Sequence, residues 1–322
     1  MAEGYYLGID TSNYTTSMAL VKEGGVVANL KAPLPVKEGE CGLRQSDALF
    51  AHIKNIPALS EALRRELGGE RPVAVGVSER PRNIEGSYMP CFLGGVSAAE
   101  AIGASLGVPV FRFSHQCGHL RAALYSSGGE HLLRAPFGAF HISGGTTEML
   151  YAVPDGFGFK AEIIGGTRDL NAGQLVDRIG VMLGLRFPAG PALEALALQN
   201  TKALVRRKVK SEDGFVHLSG VENMARALYE KERDAAQTAA FVFDYLSEAI
   251  VSMSLQLRER YGSETPIVYA GGVMSNGIIR EKVTQKINGA YFAAPAFSAD
   301  NAAGIALLTE ERHKARSEAS AL

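Results

Sequence analysis

The sequence is poor in cysteine, which argues against a disulfide-rich protein. Its 322 residues include three cysteines, Cys41, Cys91 and Cys117, and no two of them have the Cys-x-x-Cys spacing. A small, odd number of cysteines argues against a disulfide-stabilised fold and favours a reducing compartment. No apolar run approaches the length of a membrane span, and no basic segment with an apolar core opens the chain. We therefore expect a cytoplasmic protein without a membrane partner.

The sequence also lacks an excess of either charge. Lysine and arginine number 33 and aspartate and glutamate 34, which gives a net formal charge of -1. Any contact with nucleic acid must therefore come from a local patch or from a partner protein. A His-Glu-x-x-His segment is absent as well. Since the glutamate of that motif is the general base of zinc proteases, its absence argues against a protease.

One local patch of positive charge exists near the middle of the chain. Residues 202–210 contain five cationic side chains: Lys202, Arg206, Arg207, Lys208 and Lys210. Such a run either contacts RNA phosphates or is simply solvated, and Glu212 and Asp213 follow it directly. Both interpretations stay open at the level of sequence.

Glycine is abundant, with 36 residues, and several glycines occur in pairs after apolar runs. Paired glycines of this kind build loops whose backbone amides approach phosphate groups. After the strand predicted at 266–270, a glycine pair also lets the backbone pass beneath an adenine or ribose, where a Cβ would clash. The pairs lie at Gly144-Gly145, Gly165-Gly166 and Gly271-Gly272.

The first thirty residues predict three antiparallel strands. Strands at 5–10, 16–22 and 26–31 are separated by a polar turn that begins at Asp10 and by Gly24-Gly25. This arrangement is typical of a ribonuclease-H-like fold, in which the first turn faces a phosphate tail. A plain three-stranded meander would have the same pattern.

The opening pattern recurs in the second half of the chain. Strands predicted at 137–142 and 148–153 flank a polar turn, 143–147, with the sequence Ser143-Gly144-Gly145-Thr146-Thr147. The glycine-rich segment 126–130 precedes this repeat. We therefore predict two domains, 1–130 and 131–322, with the last helix as a candidate to pack back on the first domain.

A pair of histidines follows the predicted strand 108–113. His115 and His119 are four residues apart, which places both imidazoles on one face of a helix. Asp300 stands at the start of an apolar helix near the end of the sequence. Two histidines and one carboxylate form a metal site with open positions that holds a substrate oxygen. The alternative is two ordinary surface histidines.

Two aspartates that follow Gly165-Gly166 are candidate ligand contacts. Asp169 precedes the helix predicted at 171–184 and Asp177 lies within it, and each is a candidate to contact a ribose or a metal ion. The alternatives are a helix cap for Asp169 and a solvated face for Asp177.

Taken together in this order, the motifs resemble the tRNA N6-adenosine threonylcarbamoyltransferase family. This family (TsaD or Gcp, in the glycoprotease superfamily) includes the catalytic subunit of the KEOPS complex, and the likeness extends from about Leu7 to Leu308. The matching segments are His115-Gln116-Cys117-Gly118-His119, Ile142 to Thr147, Ala172-Gly173 through Asp177, Phe187 to Leu193, Ala270 to Val273 with Asn276, and Asp300-Asn301-Ala302.

The resemblance implies a fold, a reaction and cofactors. The fold is the α/β ASKHA fold of actin and hexokinase, with two duplicated ribonuclease-H-like domains around a nucleotide cleft. The reaction transfers a threonylcarbamoyl group from threonylcarbamoyl-adenylate to N6 of the adenosine adjacent to the tRNA anticodon. The implied cofactors are one Fe or Zn ion, held by His115, His119 and Asp300, and an ATP- or AMP-type nucleotide. Mg²⁺ is a further candidate cofactor.

The same resemblance assigns roles to individual residues. We predict catalytic roles for Asp10, Ser143 and Thr147, although none of them stands out as a general base. Archaeal relatives place a metal-binding tyrosine where this sequence has His141, so His141 is predicted as a fourth metal ligand. The alternative is a histidine that faces the cleft and hydrogen-bonds a neighbour. The predicted nucleotide contacts are Ser143, Gly144, Gly145, Asp169, Asp177, Gly190, Gly271, Gly272 and Asn276.

The resemblance also implies partners, namely tRNA and accessory proteins that are TsaB- and TsaE-like or KEOPS-like. Some segments depart from the family pattern. Because these departures fall on residues that select the substrate, a second hypothesis stays open. It is a divergent paralogue that binds ATP and metal and carbamoylates another acceptor, or acts as a nucleotide-dependent assembly subunit. The departures are Asn13 to Thr16, Glu79 to Glu85, Thr146 to Glu148, and Gln174.

Overall fold

The computed structural model describes residues 4–12, 14–35, 43–204 and 206–319. Asn13 and Cys41, which entered the sequence interpretation, lie outside the described residues. Cys91 and Cys117 are free and buried. By its internal contacts the chain divides into two compact units. Unit 1 runs to Tyr125 and includes Pro154–Lys160 and the chain from Asp300 onward, and unit 2 comprises Ser126–Val153 and Ala161–Ala299.

The elements follow one another as strands and helices in nearly regular alternation, with two short 3-10 helices at Glu130–Arg134 and Gly272–Ser275. In chain order they are β1 (Tyr5–Ser12), β2 (Thr15–Lys22), β3 (Gly25–Pro33), α1 (Gln45–Leu67), β4 (Pro72–Arg80), α2 (Phe92–Leu106), β5 (Val110–Ser114), α3 (His115–Ser127), β6 (Phe137–Ile142), β7 (Thr147–Asp155), β8 (Gly158–Thr167), α4 (Ala172–Met182), α5 (Gly190–Ala197), β9 (Ser211–Glu212), β10 (Phe215–Val216), α6 (Ser219–Glu232), α7 (Ala235–Tyr261), β11 (Ile267–Ala270), α8 (Gly277–Lys286), β12 (Ala290–Phe292), α9 (Pro295–Ser298) and α10 (Ala303–Ala319).

Unit 1 is built on a five-stranded sheet with the order β3-β2-β1-β4-β5. Strand β2 runs antiparallel to β1 and β3, whereas β1, β4 and β5 are parallel. The three parallel strands therefore end at the same edge of the sheet. Ligands of open α/β sheets bind at this edge, outside the carboxyl ends of the strands.

Helix α10 lies directly on the sheet of unit 1 because the facing strand positions are glycines. A Cβ on Gly8 of β1 would meet backbone atoms of Ala302 and Ala306, and a Cβ on Gly76 of β4 would meet the Thr309 hydroxyl. Gly304 makes a similar approach to α3, where an added Cβ would collide with the Gly118 carbonyl. The position of α10 is therefore fixed by contacts that tolerate no side chain.

Unit 2 repeats the strand order of unit 1 within a larger sheet. Its order is β12-β11-β6-β7-β8-β10-β9, so β8-β7-β6-β11-β12 corresponds to β3-β2-β1-β4-β5. As in unit 1, the central strand β6 is antiparallel to β7 and parallel to β11, and β11 is parallel to β12. This repeated topology is the duplicated ribonuclease-H-like arrangement that the sequence predicts.

Helix α7 is the central helix of unit 2. The Asp234 carboxylate caps it by accepting a hydrogen bond from the Gln237 backbone N–H at 2.9 Å, and the helix ends at Gly262. By length and composition alone α7 is able to cross a membrane, but 83% of its most apolar window is buried inside the protein. Core helices of soluble proteins share this property, and we assign α7 to the core.

The start of α2 depends on contacts between separate segments. Helix α2 begins at Phe92. The buried side chains of Phe92 and Cys91 pack there with Leu34 and Ala48 in a small separate core. Periodicity within a single segment does not reveal such a cluster.

Candidate functional site

A group of two imidazoles and one carboxylate lies at the edge of unit 1 where the parallel strands end. One ligand atom from each of His115, His119 and Asp300 lies within 4.8 Å of the other two. The Asp300 Oδ1 atom is 3.2 Å from Nε2 of His119 and 3.7 Å from Nε2 of His115. The two rings meet edge to face, with their centroids 4.3 Å apart. The structure thus brings together the three residues that the sequence predicted.

The local fold explains why these three side chains meet. Strand β5 passes directly into α3 at His115, and the helical spacing of four residues places His119 on the same face. Asp300 precedes α10, which is held against α3 by the contact between Gly304 and Gly118. The close contact between the Gly304 and Gly118 backbones, about one helical turn from the site, therefore positions the Asp300 carboxylate.

A buried carboxylate on β1, the central strand of the sheet of unit 1, orients the first histidine. Asp10, which is fully buried at the end of β1, lies with its Oδ2 atom 3.0 Å from Nδ1 of His115. Its other oxygen accepts a hydrogen bond from the hydroxyl of Ser78, which is buried on β4. Because Asp10 engages Nδ1, Nε2 of His115 is left to face Asp300. The sequence interpretation missed Ser78, since only the parallel pairing of β1 and β4 brings it to Asp10.

The charges around His115 favour its protonated form when no cation is bound. Burial lowers the pKa of His115, but the nearby carboxylates of Asp10 and Asp300 outweigh this effect and raise the pKa to about 9. Two carboxylates facing two imidazoles make a site of net negative charge when the imidazoles are neutral. A divalent cation in place of the proton would satisfy the same oxygens.

The donor set fits a borderline transition metal. Two imidazole nitrogens and one carboxylate oxygen form the two-His, one-carboxylate arrangement, which suits Fe²⁺ or Zn²⁺ and leaves coordination positions open. The hydrogen bond from Nδ1 of His115 to Asp10 is the contact that fixes the tautomer of a metal-binding histidine. On chemistry and geometry, this group of residues is a candidate metal centre.

The second candidate site is the polar turn between β6 and β7 in unit 2. The Ser143 backbone N–H donates to the Thr146 carbonyl at 2.8 Å, and the Ser143 carbonyl accepts from the Gly173 N–H at 3.2 Å. Gly144 and Gly145 are exposed, and a Cβ added to either would meet no protein atom within 4 Å. Packing within the described protein therefore does not require glycine at these two positions.

The two glycines after β11, Gly271 and Gly272, have different surroundings. Gly271 has a φ of 104°, and an added Cβ would collide with the Ile142 backbone. An added Cβ on Gly272 would meet nothing within 4 Å. Gly271 is thus required by the fold, whereas Gly272 leaves space above its backbone. Asn276 is buried and caps α8, since its side-chain oxygen accepts from the Ile279 N–H at 3.0 Å.

The Asp169 carboxylate accepts several hydrogen bonds within unit 2. It accepts hydrogen bonds from the backbone N–H groups of Leu170 and Leu218 and from the Ser219 hydroxyl at 2.6, 2.8 and 2.5 Å. Burial alone would raise the pKa of Asp169, but these hydrogen bonds hold it well below its usual range. The carboxylate therefore ties the start of α6 to the turn before α4.

The remaining predicted residues of unit 2 lie close to α4 and α5. Asp177 accepts a hydrogen bond from the Ala189 N–H at 2.8 Å, and it lines a cavity of about 440 Å³. Burial raises the pKa of Asp177. Gly190 is the first residue of α5. The Thr147 hydroxyl is buried and accepts from the Ala172 N–H at 2.9 Å, so it caps the start of α4.

His141 lies on β6 in unit 2. It is partly buried and stands opposite Glu148 of β7 and Ala270 of β11 in the sheet register. Its role as a fourth metal ligand stays a prediction.

Solved structures with the same architecture establish the class of protein. The chain is similar to component A of (R)-2-hydroxyglutaryl-CoA dehydratase from Acidaminococcus fermentans, with a TM-score of 0.57, 17% identity, and 97% of this chain and 99% of that chain covered. It is also similar to HypF of T. kodakarensis, with a TM-score of 0.58 and 13% identity over 98% of this chain and 48% of that chain. At this identity the likeness shows the fold alone, which is the ASKHA fold with two duplicated halves.

Sequence comparisons narrow this class to one family. The sequence profile of the tRNA N6-adenosine threonylcarbamoyltransferase family, TsaD, matches residues 42–307. Curated tRNA N6-adenosine threonylcarbamoyltransferases include relatives from Thermus thermophilus, 31% identical over 96% of this chain and 93% of the relative, and from Kosmotoga olearia, 30% identical over 96% and 93%. A relative from Streptococcus suis is 28% identical over 95% and 92%. The chain belongs to the tRNA N6-adenosine threonylcarbamoyltransferase family, which confirms the resemblance found in the motifs.

Proposed function

We propose that this protein transfers the threonylcarbamoyl group of threonylcarbamoyl-adenylate to N6 of the adenosine adjacent to the tRNA anticodon. Family membership over residues 42–307 carries this proposal, and it supports a role in tRNA threonylcarbamoyladenosine modification. The alternative of a paralogue with another acceptor is not favoured, because the similarity to the named transferases covers 96% of the chain. We further propose that the protein works in the cytoplasm with TsaB- and TsaE-like or KEOPS-like accessory proteins.

We propose that His115, His119 and Asp300 hold one Fe or Zn ion. When bound, such an ion supplies a Lewis acid that polarises a carbonyl oxygen. The protein residues supply geometry: Asp10 and Ser78 hold the His115 ring so that Nε2 faces the carboxylate of Asp300. We retain His141 as a proposed fourth ligand. Asp10 is then a positioning residue, acting through His115, and not a residue that touches the substrate.

We propose that the polar turns of unit 2 hold the adenylate. Gly144 and Gly145 are exposed residues in a turn that the N-terminus of α4 supports, which favours binding of an anionic phosphate by backbone N–H groups. Ser143, at the start of this turn, is the proposed hydroxyl contact. Gly272 supplies open space for a sugar or base. The other proposed contacts are Asp169, Asp177, Gly190, Gly271 and Asn276, and the hydroxyl of Thr147 acts through its cap on α4.

The acceptor is tested by a single change in the RNA. Two unmodified tRNA transcripts are compared, one with adenosine and one with guanosine at the position beside the anticodon. Guanosine lacks the exocyclic N6 amine, so we expect product on the adenosine transcript alone. Product on neither transcript, together with carbamoylation of a different molecule in the same mixture, would favour the paralogue.

Replacing Gly272 with valine is expected to weaken nucleotide binding without unfolding the protein. The fold leaves room for the side chain, so the cost falls on the ligand that occupies this space. We expect the ATP dissociation constant to rise at least about 10-fold, or ~1.4 kcal/mol, in calorimetric titration. Gly220→Val is the matched control, because a Cβ there also meets nothing within 4 Å and Gly220 has no proposed role.

A variant of the adjacent glycine, Gly271, distinguishes weaker ligand binding from lower stability of the fold. Gly271→Val is expected to lower the melting temperature, since its Cβ would strike the Ile142 backbone. If Gly272→Val binds ATP as tightly as the unmodified protein does, the Gly271-Gly272 turn is only a structural bend and the proposed nucleotide contact is wrong.

A further inference from the structure

The basic segment, residues 202–210, lies between α5 and β9, and no proposed catalytic or nucleotide contact uses it. Its described residues, 202–204 and 206–210, form neither helix nor strand. Together with the acidic pair that follows, residues 202–213 carry five positive and two negative charges, whereas the whole chain has a net charge of -1. The side chains of Arg206, Arg207 and Lys208 are all exposed. The segment is therefore a local concentration of positive charge on a nearly neutral protein.

Three of these cations, Arg206, Arg207 and Lys208, form no ion pair within the residues that the structure describes. Two other surface arginines of the same unit do have an ion-pair partner: Arg178 and Arg226 both bind the carboxylate of Glu222, at 3.1 and 2.8 Å. Three consecutive cations without an internal partner are available to an external anion.

Both ends of the basic segment are fixed to α7. At one end the Lys202 ammonium group forms an ion pair with Asp234, the capping residue of α7, at 3.0 Å. At the other end the Tyr245 side chain hydrogen-bonds to the Lys210 backbone, and Val209 packs against the core of unit 2. Anchoring at both ends lowers the entropy lost when the cations between the anchors bind a partner.

We propose that the basic segment binds the phosphate backbone of the tRNA substrate, with Arg206, Arg207 and Lys208 as the contact residues. The proposal rests on the proposed function, which supplies an RNA partner. Guanidinium groups bind phosphate through two parallel hydrogen bonds, so paired arginines suit a phosphodiester chain. These contacts fix the RNA on the protein and carry no base specificity.

The test is the salt dependence of tRNA binding to the full-length protein. The triple variant Arg206→Ala/Arg207→Ala/Lys208→Ala is compared with Lys54→Ala/Arg64→Ala/Arg65→Ala, which removes three exposed cations from α1 and changes the net charge equally. Binding of an unmodified tRNA transcript is measured by fluorescence anisotropy over a range of KCl concentrations.

The first variant is expected to bind at least about 10-fold more weakly, and the slope of log affinity against log salt should fall by roughly 2–3, since each lost phosphate contact contributes about 0.7–0.9. The α1 variant should keep the original slope. An unchanged slope and affinity in the first variant would overturn the proposal. The proposal would also be overturned if the first variant lost binding to phosphatidylserine vesicles but still bound tRNA. That result would identify a membrane-facing segment.

The outcomes separate this proposal from the proposed function. If the protein modifies tRNA and the first variant binds tRNA normally, the segment assignment is wrong and the function stands. If the first variant loses tRNA affinity while the unmodified protein transfers no threonylcarbamoyl group, the segment assignment stands and the function is wrong.

Discussion

Replacing Asp300 with alanine is expected to remove the bound metal ion, from about one per chain to none, while the protein stays folded. The Oδ1 atom of Asp300 lies 3.7 and 3.2 Å from Nε2 of His115 and of His119 and completes the candidate metal group. Asp300 is not part of the apolar core, so its truncation creates no large cavity. Elemental analysis of purified protein, with circular dichroism as the check on folding, measures both quantities. His115→Ala should give the same result.

Variants of the residues that position His115 are expected to weaken metal binding by smaller amounts. Asp10→Asn keeps the size of the buried side chain but weakens its hold on Nδ1 of His115, so metal affinity should fall by about 10–100-fold without being abolished. Ser78→Ala should cost less, because Asp10 would keep its contact with His115. Metal content that is unchanged in Asp300→Ala would show that the triad is not the binding site. Equal loss in all of these variants would contradict the positioning roles of Asp10 and Ser78.

Replacing Gly304 with valine is expected to destabilise unit 1 strongly. A Cβ at this position would overlap the Gly118 carbonyl, and two packed helices must separate to admit the side chain. Overpacking costs typically 1–3 kcal/mol, and a backbone collision should lie at about 3 kcal/mol. For a unit of this size the melting temperature should fall by roughly 6–12 °C in differential scanning calorimetry.

The same substitution should also weaken metal binding, because Gly304 holds α10 near α3 and thereby places Asp300 beside His119. Gly25→Val is the matched control within unit 1: its added Cβ meets only one atom, at an ordinary 3.5 Å. A melting temperature for Gly304→Val as high as that of Gly25→Val would contradict the claim that the backbone approach of the two helices positions the carboxylate.

Much of the fold was predictable because its signals are local. The polar turns between strands occur twice in the sequence, and the strand order of both units repeats accordingly. The helical spacing of His115 and His119 predicted a shared face, and the two imidazoles do meet. Periodicity and turn composition are properties of short segments, so they can be read without tertiary contacts.

Other features depend on contacts between distant segments, and sequence patterns do not contain them. Ser78 reaches Asp10 only because β1 and β4 are neighbours in the sheet. Asp169 and Thr147 are predicted to act on the ligand, and the structure adds hydrogen bonds that the sequence does not reveal. Asp169 accepts one from the Ser219 N–H, 50 residues away, and Thr147 accepts one from the Ala172 N–H, 25 residues away. The two glycines of the 271–272 pair look identical in sequence and differ in the space above them.

Formation of the modified nucleoside tests the central claim most directly. The metal-loaded protein is incubated with unmodified tRNA, threonine, bicarbonate, ATP and an enzyme that forms the adenylate, and the digested tRNA is examined by nucleoside mass spectrometry. We predict N6-threonylcarbamoyladenosine with the unmodified protein and with Gly220→Val, and none with Asp300→Ala. No product with the metal-loaded protein and its accessory partners, or equal product with Asp300→Ala, would contradict the account.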